Sequence, residues 1–177
     1  VQQNNRFSIA YGKHSQFYEY SVYNFENDGS FPNLNLKATK AHHFGIAYGT
    51  KVWQQKINVE AFYQQLYDVP IEPDGTFSII NLSELNELRS LINEGKGRNY
   101  GIDFSIGKYN TNNWYYNINA SYIKSLYTAG DNVRRSTEFD FNYNIKLLAG
   151  KDFEIGKRKN KKNNLSLNAT FTAIGGR

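Results

Sequence analysis

The stretch 139-FDFNYNIKLL-148 decides how the rest of the chain is read. Phe139, Phe141, Tyr143, Ile145 and Leu147 fall on one face of an extended chain, and Asp140, Asn142, Asn144, Lys146 and Leu148 fall on the other. A strand with one apolar, partly aromatic face and one wet face meets a core in a soluble sheet. In a membrane barrel it meets hydrocarbon.

The same period of two recurs along the chain and predicts seven strands, near 6–12, 43–49, 56–64, 99–107, 115–123, 138–148 and 164–172. Their apolar faces run through Phe7, Ile9 and Tyr11; Phe44, Ile46 and Tyr48; Ile57, Val59, Ala61 and Tyr63; Tyr100, Ile102, Phe104 and Ile106; Tyr116, Ile118, Ala120 and Tyr122; and Leu165, Leu167, Ala169 and Phe171. None of these faces carries a charge. The reverse faces mix Gly, Ala, Ser and Asn with Arg6, Lys56, Glu60, Asp103, Glu138, Asp140 and Lys146. A Lys or Arg turned to lipid at the bilayer midplane costs about 2–4 kcal/mol, so a lipid-facing surface enforces this segregation.

A sandwich core also excludes charge, so strand length and connections have to discriminate. Several alternating segments reach nine to eleven residues, the span needed to cross a bilayer at a tilt and longer than the usual soluble strand. Connections 13–42 and 65–98 are long, 50–55 and 108–114 short, 124–137 and 149–163 intermediate. Antiparallel strands send alternate connections to opposite ends. Segments 13–42, 65–98 and 124–137 are therefore expected outside, and 50–55, 108–114 and 149–163 on the periplasmic side.

Composition agrees with this reading. The 177 residues include 14 Tyr and 12 Phe, aromatics are 16%, and mean hydropathy is still only −0.66. The absence of Cys excludes a disulfide scaffold and thiolate zinc sites. No run of eighteen apolar residues is present for a membrane helix, and no signal peptide opens the chain. The net charge of +5 is concentrated in 157-KRKNKK-162, which lacks interleaved aromatics and reads as a solvated turn rather than a nucleic-acid contact. In 81-NLSELNELRSLI-92 the leucine spacing and Ser83 as a cap predict a short helix within the second long loop.

Chemistry-bearing constellations are sparse. His42 and His43 are adjacent, so on a strand they point to opposite faces, and His14 is distant in sequence. The glycines of 94-EGKGRN-99 lack phosphate-loop spacing, and no nucleophile elbow is present. The chain is read as non-enzymatic, with no cofactor or metal. Candidate ligand contacts are Phe17, Tyr18, Tyr20, Tyr23 and Phe25 in 17-FYEYSVYNF-25, where amphipathic rings suit a glycan, peptide or other amphiphile. Candidate lumen or plug contacts are Arg6, Glu60, Asp103, Asn117, Asn119, Asp140 and Asn142.

The stretches 36-LKATKAHHFGIAYG-49, 61-AFYQQLYDVP-70, 94-EGKGRNYGIDFSI-106 and 163-NNLSLNATF-171, followed by 175-GGR-177, resemble the barrel portion of the outer-membrane TonB-dependent receptors of Bacteroidetes-type bacteria, nearest their SusC-like relatives. The resemblance implies an all-β transmembrane antiparallel barrel of about 22 strands in the bacterial outer membrane, of which residues 1–177 form a part. It implies substrate transport, an N-terminal plug domain, and a TonB box that engages TonB and its energising complex, with the plug and box outside these residues. It also implies contact with outer-membrane lipids, and a surface lipoprotein is a further candidate partner. The alternative is a docking or structural barrel subunit of an outer-membrane assembly.

Overall fold

The computed structural model describes residues 4–81, 89–111, 113–158 and 161–176. The chain is all-β, one open eight-stranded antiparallel sheet in the order β1-β2-β3-β4-β5-β7-β8, with the short β6 paired to β5. The strands are β1 Arg6–Gln16, β2 Thr39–Val52, β3 Gln55–Ile71, β4 Ile92–Thr111, β5 Trp114–Thr128, β6 Arg134–Ser136, β7 Asn142–Arg158 and β8 Lys161–Ile174. The only helical turns among the described residues are α1, Tyr20–Tyr23, and a 3-10 turn at Ile79–Asn81.

Six of the seven expected strands lie inside observed ones, but the observed strands are longer: β4 has 20 residues, and β3 and β7 have 17 each. Backbone pairing continues beyond the segments in which apolar and polar residues alternate without interruption. The strand expected at 138–148 is the exception. Residues 138–141 form a turn in which the Asp140 amide bonds to the Thr137 carbonyl (3.2 Å) and the Phe139 amide to Thr137 Oγ1 (3.2 Å). The Asp140 carboxylate is held by Lys124, and Asn142 opens β7 with φ at 60°. The alternating FDF pattern is here a coincidence of a turn.

A second correction concerns 149–163. It is no intermediate connection, because β7 runs to Arg158 and β8 starts at Lys161, paired as far as Arg158↔Lys161. The long–short alternation is consequently sharper than expected. The connections from β1 to β2, β3 to β4 and β5 to β7 leave the sheet at one end, and the shorter connections from β2 to β3, β4 to β5 and β7 to β8 at the other. Most of the helix expected over 81–92 falls on 82–88, outside the described residues. Residues 89–91 are not helical, and Ile92 opens β4.

The strands are staggered in one direction. In the hydrogen-bonded row Arg6–Gly49–Asn58–Ser105–Asn119–Lys146–Thr172, β2 turns shortly below the row at Val52, whereas β7 continues to Arg158. At the opposite end β4 starts far above the row, at Ile92, whereas β7 starts only at Asn142. Such a progressive offset is what tilted strands require.

The buried hydrophobic cluster sits at the long-loop end, away from the centre of the sheet. Val22, Leu36, Val69, Ile71, Ile79, Leu91, Tyr127 and Ala129 gather there from loops and strand ends. Asn33, fully buried, ties the loops together: its side-chain nitrogen donates to the Val22 and Arg89 carbonyls, and its oxygen accepts from the Leu91 amide (2.9 Å).

Candidate functional site

The register assembles the alternating residues into two continuous surfaces. One row runs Phe7–Tyr48–Val59–Phe104–Ala120–Ile145–Ala173, and the next Ile9–Ile46–Ala61–Ile102–Tyr122–Tyr143. These side chains are open: Ile9 is 72% exposed, Phe7 64%, Phe171 58% and Ile102 53%. Fully burying one such side chain is worth about 1.5–3 kcal/mol. For the face as a whole the unrealised burial is on the order of 20 kcal/mol, more than the entire stability of an ordinary domain. A face of this kind requires an apolar partner.

Charge marks its limits. On β4 the apolar side carries Tyr100, Ile102, Phe104 and Ile106 between Arg98 and Lys108. On β1 it ends at Lys13 and on β5 at Lys124, whereas on β7 Lys151 interrupts it and Phe153 and Ile155 continue it beyond. Three of these cations lean on rings: Lys108 Nζ lies 4.0 Å from the Trp114 ring centre, Lys151 Nζ 5.0 Å from that of Phe153, and the Arg98 guanidinium 6.0 Å from that of Tyr63.

The other surface is small and polar. One row reads Ser8–Ala47–Glu60–Asp103–Ser121–Asn144. Glu60 and Asp103 are direct partners across β3 and β4, an arrangement that disfavours pairing unless water or a cation faces both. Nearer the loops, side-chain hydrogen bonds cross the sheet. Thr137 Oγ1 donates to Ser125 Oγ (2.7 Å), Ser125 Oγ to Asn99 Oδ1 (2.7 Å), and Asn99 Nδ2 to Gln64 Oε1 (2.6 Å); the Gln64 amide in turn meets His43 Nε2.

Arg6, Glu60, Asp103, Asn117 and Asn119 share this polar face. Asn142 starts β7 on the same side, its amide donating to the Gly176 carbonyl (3.1 Å). Asp140 does not join them. Its oxygens accept from Lys124 Nζ (2.8 Å) and the Ser125 amide in the rim. Burial pushes the Asp140 carboxyl up, but the hydrogen bonds from Lys124, Ser136 and the Ser125 amide outweigh it and hold the group below the usual carboxylate range.

The five loop aromatics divide as well. Phe17 and Tyr20 are exposed and Phe25 is half-buried. Tyr18 and Tyr23 pack against the rim core, and the Tyr18 hydroxyl bonds to Thr39 Oγ1. Burial raises the Tyr18 hydroxyl above its ordinary pKa. Phe17 and Tyr20 therefore remain available to a ligand, while Tyr18 and Tyr23 build the rim.

His42 and His43 do take opposite faces: His42 Nδ1 bonds the Tyr11 hydroxyl (2.8 Å), and His43 meets Gln64. His14 comes to rest beside His43, ring centres 4.5 Å apart, a proximity that sequence reasoning missed. The signal was present in the long hairpin, since pairing 6–12 with 43–49 and extending it two residues brings His14 diagonal to His43. Among the described residues no three potential ligands converge on a metal position. No family model, curated protein or solved structure matches the chain.

Proposed function

We propose that this chain is part of the wall of a membrane-spanning β-barrel in the bacterial outer membrane. The observation that supports the reading is the solvent-open apolar face, free of charge through its central rows and flanked by cations. From Arg98 to Lys108 is ten steps along β4, or about 33 Å at the usual strand rise. At a tilt near 45° that is roughly 24 Å along the membrane normal, against about 25 Å for the apolar band of outer-membrane barrels. Stagger and alternating connection lengths support the same placement.

Its edge strands, β1 and β8, run in the same direction, so closing the barrel with antiparallel pairs takes an odd number of further strands. Closure is required because an open edge in hydrocarbon leaves backbone groups unsatisfied. The polar face then lines an enclosed aqueous space, and the resemblance to TonB-dependent receptors makes transport the assigned activity. Cargo is caught among the outer loops, where Phe17 and Tyr20 stand open, and passes a plug along the polar face when TonB draws on its energising complex.

Two measurements test this. In density-separated membranes, the protein is expected in the outer-membrane fraction, resistant to carbonate and released by detergent. Recovery in the aqueous fraction would remove the membrane placement. Cargo uptake abolished by a protonophore supports coupled transport; unchanged uptake leaves the docking-subunit alternative.

A further inference from the structure

At the tight-turn end of the apolar face lies a groove of about 540 Å³ whose lining on this face is Trp114, Ala149, Lys151, Leu167 and Ala169; beneath it Tyr115 and Asn168 are turned to the opposite face, where the Tyr115 hydroxyl donates to Asn168 Oδ1. Register explains its shape. Ala149 and Ala169 are direct partners and make a low floor, while Trp114 and Leu167 both pair with Lys151 and stand beside it. One cation, Lys151, lines it, and a second, Lys108, reaches the Trp114 ring that forms its side. Lys151 extends over the Phe153 ring, and Lys108 caps the Trp114 ring, which stacks on Tyr116. Among the described residues neither lysine pairs with a carboxylate. By strand alternation Asp152 and Glu154 belong to the opposite face, and Asp152 accepts from Ser166 Oγ (2.6 Å).

We propose that this groove binds one phospholipid. The acyl chain lies on Ala149 and Ala169 between Trp114 and Leu167, and the headgroup phosphate is held by Lys151 and Lys108. The assignment rests on the membrane placement above. It follows from the junction of two features that a soluble anion and a bare hydrocarbon each use only in half: an apolar trough continuous with Leu147 and Phe171, and beside it two ammonium groups that pair with no carboxylate among the described residues. Both belong to one amphiphile with its charge next to its chain.

Of the two Trp residues here, one is removed by Trp53→Gly, and any indole in the further strands of the barrel is replaced by Phe, so that Trp114 is the only one left. The full chain, folded in neutral detergent micelles, is titrated with phosphatidylglycerol carrying dibrominated acyl chains, and separately with equally brominated diacylglycerol. Quenching of Trp114 is expected to saturate with the phospholipid, with a half-point at least fivefold lower than for diacylglycerol. Lys151→Gln should erase that difference. Ala169→Phe, which fills the trough, should abolish saturation while the circular dichroism of the strands stays unchanged. Excess inorganic phosphate should not displace the lipid, and displacement would contradict a lipid site.

Quenching that rises linearly and equally for both lipids, or that ignores the Lys151→Gln change, overturns the site. A nitroxide at Ile102 separates the two levels of failure. If it reports lipid while Trp114 shows no saturable quenching, the groove assignment alone falls; if it reports water, the membrane placement falls with it.

Discussion

Asn33 holds three parts of the rim from a position with no solvent exposure, bonding Val22, Arg89 and Leu91. Replacing it by Ala strands a buried amide and two carbonyls, each loss costing about 1–3 kcal/mol. Asn33→Ala should therefore open the outer loops to protease and speed exchange of the Leu91 amide, while central sheet amides stay protected. Equal protection of Leu91 in both proteins would contradict this role. Asp131 gives the same rim a pH dependence. The Arg135 guanidinium, with help from the Val133 amide, lowers its carboxyl from 3.8 to about 2. A depressed folded-state value means that the stabilisation is complete above pH 4 and is lost as pH falls toward 2. Pepsin cleavage within 129–141 should rise across that interval, and Asp131→Asn should be cut at a rate that no longer changes across it. An unchanged profile in the variant would exclude the pair.

At the scale of elements, the central ladder β3–β4–β5 depends on close approach at Gly101. A Cβ placed there would lie 2.3 Å from the Tyr122 carbonyl oxygen and 2.7 Å from the Phe62 ring. The backbone oxygen cannot step aside without parting β4 from β5, so Gly101→Ala should cost about 1–3 kcal/mol. The urea midpoint of the protein folded in detergent should fall accordingly; an unaltered midpoint would show that the strands can separate there freely. The elements also show where sequence patterning holds. Phe104 and Tyr48 were legible because alternation reports which face a residue takes. The end of β3 was not, because Tyr67 through Ile71 pair through the backbone across register shifts; the end of β7 was missed although Phe153 and Ile155 alternate with Asp152 and Glu154, because the basic run at 157–162 reads as a solvated turn. β6, three residues with Arg134 and Arg135, carries no strand signature and exists because β5 outruns β7.

The whole molecule inverts the usual arrangement: its buried cluster lies in the loops, and its largest apolar surface is open. The two-sided sheet could be read from the sequence, since charge avoids every second residue of each strand. That Glu60, Asp103 and Asn119 share the polar face could be read with it, by the same alternation. That Asp140 leaves the polar row could not be read, because a turn imitated a strand, nor could the packing of Tyr18 and Tyr23 against the buried rim cluster, a three-dimensional fact that loop composition does not encode. The central claim is that the open face meets hydrocarbon while its reverse meets water. The most direct measurement places nitroxides, one at a time, at Ile102, Leu147 and Leu167 and at their neighbours Asp103, Lys146 and Asn168 in the membrane-inserted protein, and compares relaxation by oxygen with relaxation by a water-soluble nickel chelate. Oxygen should dominate at the first three and nickel at the second three. Nickel dominance at Ile102, Leu147 and Leu167 would contradict the account.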